Sequence, residues 1–295
     1  MYNFRVISAN EDIFIKTKYR FISELEDFKE FAQTLTDDAG KAKVKSGKAS
    51  SYTRYLIRLI IFYCETHRDN LEELSSFEAV KKLEKIRLDE SFKAFNQESN
   101  RFYSATLSCY LAYVTFKNSD AEEIIDNQII SGLNNFENQA QVVKENKSTY
   151  LVRVPKSRAS KRKNNNVYSY PRNYVEAIEA RRRCGWICEF NQEHKTFINI
   201  KDGKPYVEGH HLIPMAVQDY YDNTIDFADN IICLCPTCHR KIHYAVQSEK
   251  KEMLIKIFNE REKFYLQHGI EIDRKTLLSF YGIFNSIAKS LKNLK

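Results

Sequence analysis

Five of the seven cysteines and five of the seven histidines in this 295-residue chain fall between Cys184 and His243, and the spacing of several of them suits metal chemistry. In order come His210-His211, Asp229-Asn230, a Cys235-Pro-Thr-Cys238 knuckle, and His239 with His243. Residues four apart on a helix share a face, so His239 and His243 direct both imidazoles to one side. With His210 they make a three-nitrogen pocket able to hold a divalent cation such as Mg or Mn and to leave positions open for a phosphate oxygen. Hydrolysis of a phosphodiester needs a cation for the developing charge and a base for water. His211 suits the second task, because an imidazole with a pKa of about 6.5 accepts a proton near neutrality once its other nitrogen is fixed. Asn230 is the candidate to orient it, through its amide or its backbone carbonyl.

The knuckle implies a second, structural metal. Cys235 and Cys238 are half of a tetrahedral zinc site, and closing it takes two more sulfur or nitrogen ligands. Cys188 is the third, and either His194 or Cys184 can be the fourth; position 191, three after Cys188, is Asn. Cys233, two residues before Cys235, is expected to pack inside, as are Cys64 and Cys109. Clustered thiols in a reducing compartment point to metal ligation rather than to disulfides.

The elements around these residues follow from pattern. Tyr174 to Arg183 is predicted as a helix, and Thr196 to His211 as a hairpin turning at Asp202-Gly203. Ile231 to Leu234 reads as a short apolar strand, and Pro236 starts a helix over Thr237 to Ala245. Two more helices follow, from about Ser248 to Gln267, ended by Gly269, and onward from the cap Asp273. Residues 1–118 are predicted to be a mainly helical domain. One helix there, capped by Ser50 or Ser51, has an apolar face of Tyr52, Tyr55, Leu56, Leu59, Ile60 and Tyr63; another runs from Arg101 to Phe116. These stripes are core, and the helical domain is the candidate for target recognition.

Residues 119–170 turn polar, and Arg153 to Lys163 hold six basic residues among eleven with no acid, the mark of a solvated basic linker. The formal charge of +7 favours a polyanionic partner. Arg158, Lys161, Arg162 and Lys163, with Arg181 and Arg182 beyond, are candidates for phosphate contact with double-stranded DNA. No apolar run is long enough to span a bilayer and no signal-peptide order opens the chain, so a cytoplasmic protein is expected, with no membrane partner.

The stretches YVEGHHLIP and ADNIICLCPTCHRKIH, in that order, resemble the HNH (ββα-metal) endonuclease family, with the DNI-to-IH spacing of the colicin-type nucleases. CEFNQEHKTF, HHLIPM and LCPTCHRKIHY are similar to its McrA-like branch, associated with restriction of foreign or modified DNA. The resemblance covers about residues 171–285. It implies His211 as general base, Asn230 as orienting group, and His210, His239 and His243 as catalytic metal ligands. Its relatives favour His194 over Cys184 as the fourth zinc ligand. The expected architecture is α+β: a helical N-terminal domain, a basic linker, and a zinc-stabilised ββα-metal domain with flanking helices over 171–295. The expected function is a metal-dependent DNA endonuclease of restriction or antiviral defence, in which a homodimer would bring two active sites to the duplex. The competing expectations are a non-catalytic zinc-stabilised DNA-binding protein and an HNH nuclease of a mobile element.

Overall fold

The structure is a computed structural model that describes residues 2–38, 47–119, 152–164, 167–200 and 202–283. Most of the expected linker, residues 120–151, and the end of the last expected helix beyond 283 lie outside the described residues. The chain divides into two compact units, one of residues 1–117 with 278–295 and the other of residues 118–277.

The first unit is helical: α1 (Asp12–Arg20), α2 (Ile22–Asp38), α3 (Lys48–His67), α4 (Phe77–Lys85), α5 (Glu90–Glu98) and α6 (102–119). The stripe on α3 is buried except for Tyr55, which is half-buried and meets Phe102 and Tyr103 of α6 with ring centroids 4.8 and 4.6 Å apart. Helix α3 starts one turn earlier than predicted. Gly47, at a φ of 58°, is its N-cap, and Ser51, expected as a cap, instead lies inside and donates its hydroxyl back to the Gly47 carbonyl. Arg58 donates to the Ile7 carbonyl at 2.9 Å and so serves the core of this unit. Cys109 is buried as expected, whereas Cys64 is only half-buried.

The second unit carries the cysteines and histidines of interest. Its elements are a hairpin of β1 (Arg162–Asn164) and β2 (Val167–Ser169), then α7 (Tyr174–Cys184), β3 (Glu208–His211), β4 (Ile231–Leu234), α8 (Pro236–Tyr244) and α9 (Gln247–Tyr265); α10 (Arg274–Phe280) follows. Strands β3 and β4 are antiparallel, with Gly209 opposite Cys233, His210 opposite Ile232 and His211 opposite Ile231. All four residues of β4 are buried. The predicted hairpin exists only between Phe197 and Tyr206, closed by Gly203 at a φ of 68°. Strand β3 takes β4 rather than that hairpin as its partner, because the apolar β4 offers the larger burial.

The described part of the basic stretch is no free tether. Backbone bonds tie Arg158 to Asp222 and Lys156 to Thr224, and Arg153 reaches Asp229 with two hydrogen bonds of 2.9 and 3.0 Å. Acids distant in sequence pair with Arg153, Lys156, Arg158 and Lys161 of the run, which composition within the run does not reveal. The described residues between 152 and 170 fall in the second unit.

Candidate active site and zinc centre

Adjacent residues of a strand face opposite sides, so His210 and His211 diverge although consecutive. His210 faces α8. Its ring lies 5.2 Å from that of His239 and 5.0 Å from that of His243. The Nε2 atoms of His239 and His243 are 3.2 Å apart, and one nitrogen from each of the three rings lies within 4.8 Å of the others. Burial, reinforced by the neighbouring imidazoles, holds His210 well below the ordinary imidazole range, so it stays neutral and able to ligate. Three imidazoles that converge in this way fit a divalent cation.

Glu208 shares the face of His210, two residues away, and its Oε2 accepts from Nδ1 of His239 at 2.7 Å. That bond fixes the tautomer and turns Nε2 of His239 toward the cluster. The same bond holds the Glu208 carboxyl below the usual range. Sequence reasoning passed over Glu208, although the two-residue period of a strand could have found it.

His211 sits on the opposite face, with Nε2 2.9 Å from Oδ1 of Asp226. Asp226 is buried, and its other oxygen accepts from the Asn173 backbone at 2.5 Å. Sequence reasoning also missed Asp226, because the loop between β3 and β4 has no periodicity to place it.

Asn230 is fully buried, and its amide is committed elsewhere. Oδ1 accepts from the Ile213 backbone at 2.8 Å and the Tyr265 hydroxyl at 3.2 Å; Nδ2 donates to the carbonyls of Ile213 at 3.0 Å and Ile225 at 2.8 Å. A primary amide offers two donors and two acceptor sites, so the side-chain route from Asn230 to His211 is closed. Its carbonyl also accepts from Leu212 at 2.8 Å. Asn230 thus latches the two ends of the loop that carries Asp226.

Cys188, His194, Cys235 and Cys238 converge, with their ligand atoms within 4.8 Å of one another. His194 Nδ1 stands 3.5 and 3.3 Å from the sulfurs of Cys235 and Cys238. A tetrahedron with Zn–S near 2.3 Å and Zn–N near 2.0 Å has N–S edges of about 3.5 Å and S–S edges of about 3.8 Å, close to these separations, so the set fits zinc. Cys184, the alternative fourth ligand, lies instead beside Cys233 and Glu189. Cys235 also caps α8, its sulfur accepting from the Cys238 backbone, so the metal-binding knuckle and the start of the helix bearing His239 are one structure.

Of the basic candidates, Arg162 and Lys163 are exposed on β1 and Arg181 is half-buried on α7. Arg158 and Lys161 both pair with Asp219, at 2.9 and 2.5 Å, and Arg182 grips Glu179 through two bonds of 2.7 and 2.8 Å. These three of the six cations named as phosphate candidates thus have acid partners within the same unit. Among the described residues no helix is long and apolar enough to cross a membrane.

Residues 186–243 match the family described as HNH endonuclease. The chain is also 37% identical over 78 residues to the type IV methyl-directed restriction enzyme EcoKMcrA of Escherichia coli K12. That match spans 26% of this chain and 26% of the relative, and no solved structure matches the chain.

Proposed function

We propose, from the premise that residues 186–243 are an HNH endonuclease domain, that this chain is a restriction-type enzyme hydrolysing phosphodiester bonds of double-stranded DNA. The observation that carries this reading is the pairing of a three-imidazole cluster with a separate, carboxylate-bound His211 on the same two-residue segment of β3. A divalent cation such as Mg or Mn, held by His210, His239 and His243, would supply charge against the phosphate oxygens. His211 takes the proton of the attacking water, and Asp226 orients its ring and favours the imidazolium that results. Glu208 holds His239 in the ligating tautomer. Asn230 keeps the loop of Asp226 in place. The zinc tetrad clamps α8 to the stretch 188–194, which fixes the position of His239. Arg158, Lys161, Arg162, Lys163, Arg181 and Arg182 are the candidates for backbone phosphate contact, and a homodimer would present one site to each strand.

The relative is described as methyl-directed, which makes methylated DNA the first substrate to try. The test is digestion of matched plasmid and phage DNAs, unmodified, methylated and hydroxymethylated, with Mg, Mn or Ni and with a chelator. Metal-dependent nicking of at least one substrate is expected. A folded, zinc-loaded protein that binds these DNAs and cuts none of them would make the chain a DNA-binding protein instead.

A further inference from the structure

Two cysteines of the second unit belong to neither metal cluster. Cys184, the last residue of α7, and Cys233, in the middle of β4, lie with the Glu189 carboxylate in a group whose ligand atoms are within 4.8 Å of one another. The two sulfurs lie within 4.8 Å of each other, and the Cys184 thiol donates to the Arg181 carbonyl at 3.2 Å. A third metal centre is a poor account of this group. One oxygen of Glu189 is bonded to Arg261 and the other accepts from the Cys233 backbone at 2.6 Å, which leaves two sulfurs where zinc takes four ligands. Two adjacent thiols with no metal between them have a different chemistry open to them.

We propose that Cys184 and Cys233 form a dithiol that a peroxide oxidant closes to a disulfide, joining α7 to β4. Exposure sets the order of events, since Cys184 is half-buried and Cys233 is fully enclosed. Cys184 attacks a peroxide oxygen, the O–O bond breaks, and one water leaves with the formation of a sulfenic acid. The Cys233 sulfur then displaces the hydroxyl, which departs with the thiol proton as a second water, and the S–S bond forms. Two thiols are oxidised and one peroxide is reduced. Helix α7 already packs on β4, and Ala180, Ile231, Cys233 and Cys184 share one apolar cluster, so the packing of the unit itself keeps the two sulfurs together. The proposal is independent of nuclease activity.

The zinc-loaded full chain is treated with stoichiometric hydrogen peroxide, then analysed by intact mass, peptide mapping without reductant, and zinc content. The expected result is a loss of about 2 Da, a cross-linked pair of peptides bearing Cys184 and Cys233, full zinc content, and reversal by dithiothreitol. Release of zinc with cross-links among Cys188, Cys235 and Cys238 would overturn the proposal. So would a gain of about 32 Da on Cys184 with no cross-link. In Cys184→Ser the cross-link should vanish while zinc is kept; a Cys233 cross-link persisting in that variant also refutes the pairing. If that variant does not fold, the wild-type peptide map decides.

Discussion

Oδ1 of Asp226 lies 2.9 Å from Nε2 of His211, so the proposed base is held by a carboxylate from the loop between the strands rather than by the amide of Asn230. A neutral imidazole that donates one N–H to a carboxylate has its lone pair on the other nitrogen. Replacing Asp226 by Asn should lower single-turnover cleavage by roughly 10- to 100-fold, the scale seen when partners of functional histidines are removed. DNA affinity and zinc content should persist. An unchanged cleavage rate would mean that the Asp226 contact has no part in the chemistry.

Removal of the base itself should cost more. His211→Ala is expected to slow cleavage by roughly 10²- to 10⁴-fold with DNA binding intact, which a gel-shift and a nicking assay can separate. His210→Ala should instead weaken Mn binding, read by calorimetry. If both variants lose metal and neither loses rate at saturating metal, the division of labour along β3 is wrong.

The zinc tetrad predicts a failure of structure rather than of chemistry. Cys238→Ser takes one ligand from a closed site and should lower zinc content and the melting temperature of the second unit. Elemental analysis with thermal melting checks this, and full zinc content in the variant would reassign the ligands.

Asn230→Ala removes four hydrogen bonds from a fully enclosed position and leaves backbone groups of Ile213 and Ile225 without that partner. A destabilisation of about 3 kcal/mol is expected on the scale of buried polar groups stripped of a partner. Denaturant titration of the zinc-loaded chain measures it, and a change below about 1 kcal/mol would show that the latch is unimportant.

Asp229 gives the second unit an acid limit. Burial alone would push its carboxyl up, but the hydrogen bonds from His268 and Arg153 and the charge of Arg183 outweigh burial and hold it well below the usual carboxylate range. A carboxyl depressed in the folded state contributes stability that is complete above its unfolded pKa of about 3.9 and is lost as pH falls toward the folded value. Melting temperature should therefore drop below about pH 4 by a larger margin in the wild type than in Asp229→Asn. Parallel curves for the two proteins would contradict it.

Spacing brought out most of the metal-suited residues between 188 and 243, whereas the choice of His194 over Cys184 came from the family resemblance. The i,i+4 pair His239 and His243, the Cys-x-x-Cys knuckle and the strand pair His210-His211 each carry their geometry in local periodicity, and the structure gathers the first with His210 and the second with Cys188 and His194. Partners supplied across the fold were not legible in this way. Asp226 reaches His211 from fifteen residues away along an irregular loop, and Asp219 and Asp229 neutralise cations some sixty and seventy-six residues distant. A basic run looks solvated when its counter-charges lie far along the chain. Two helices of the first unit, α3 and α6, were legible from their stripes, but the start of α3 depended on a glycine in the left-handed region that apolar periodicity does not signal.

The pairing of His210 with Ile232 and of His211 with Ile231 has a consequence for how the unit tolerates insertion and deletion. Shifting β3 by one position against β4 would exchange the two imidazoles, sending the proton acceptor into the cation cluster and a cation ligand toward Asp226. Deleting Val207 alone could thus erase the chemistry while every histidine, cysteine and carboxylate named above remained in the chain.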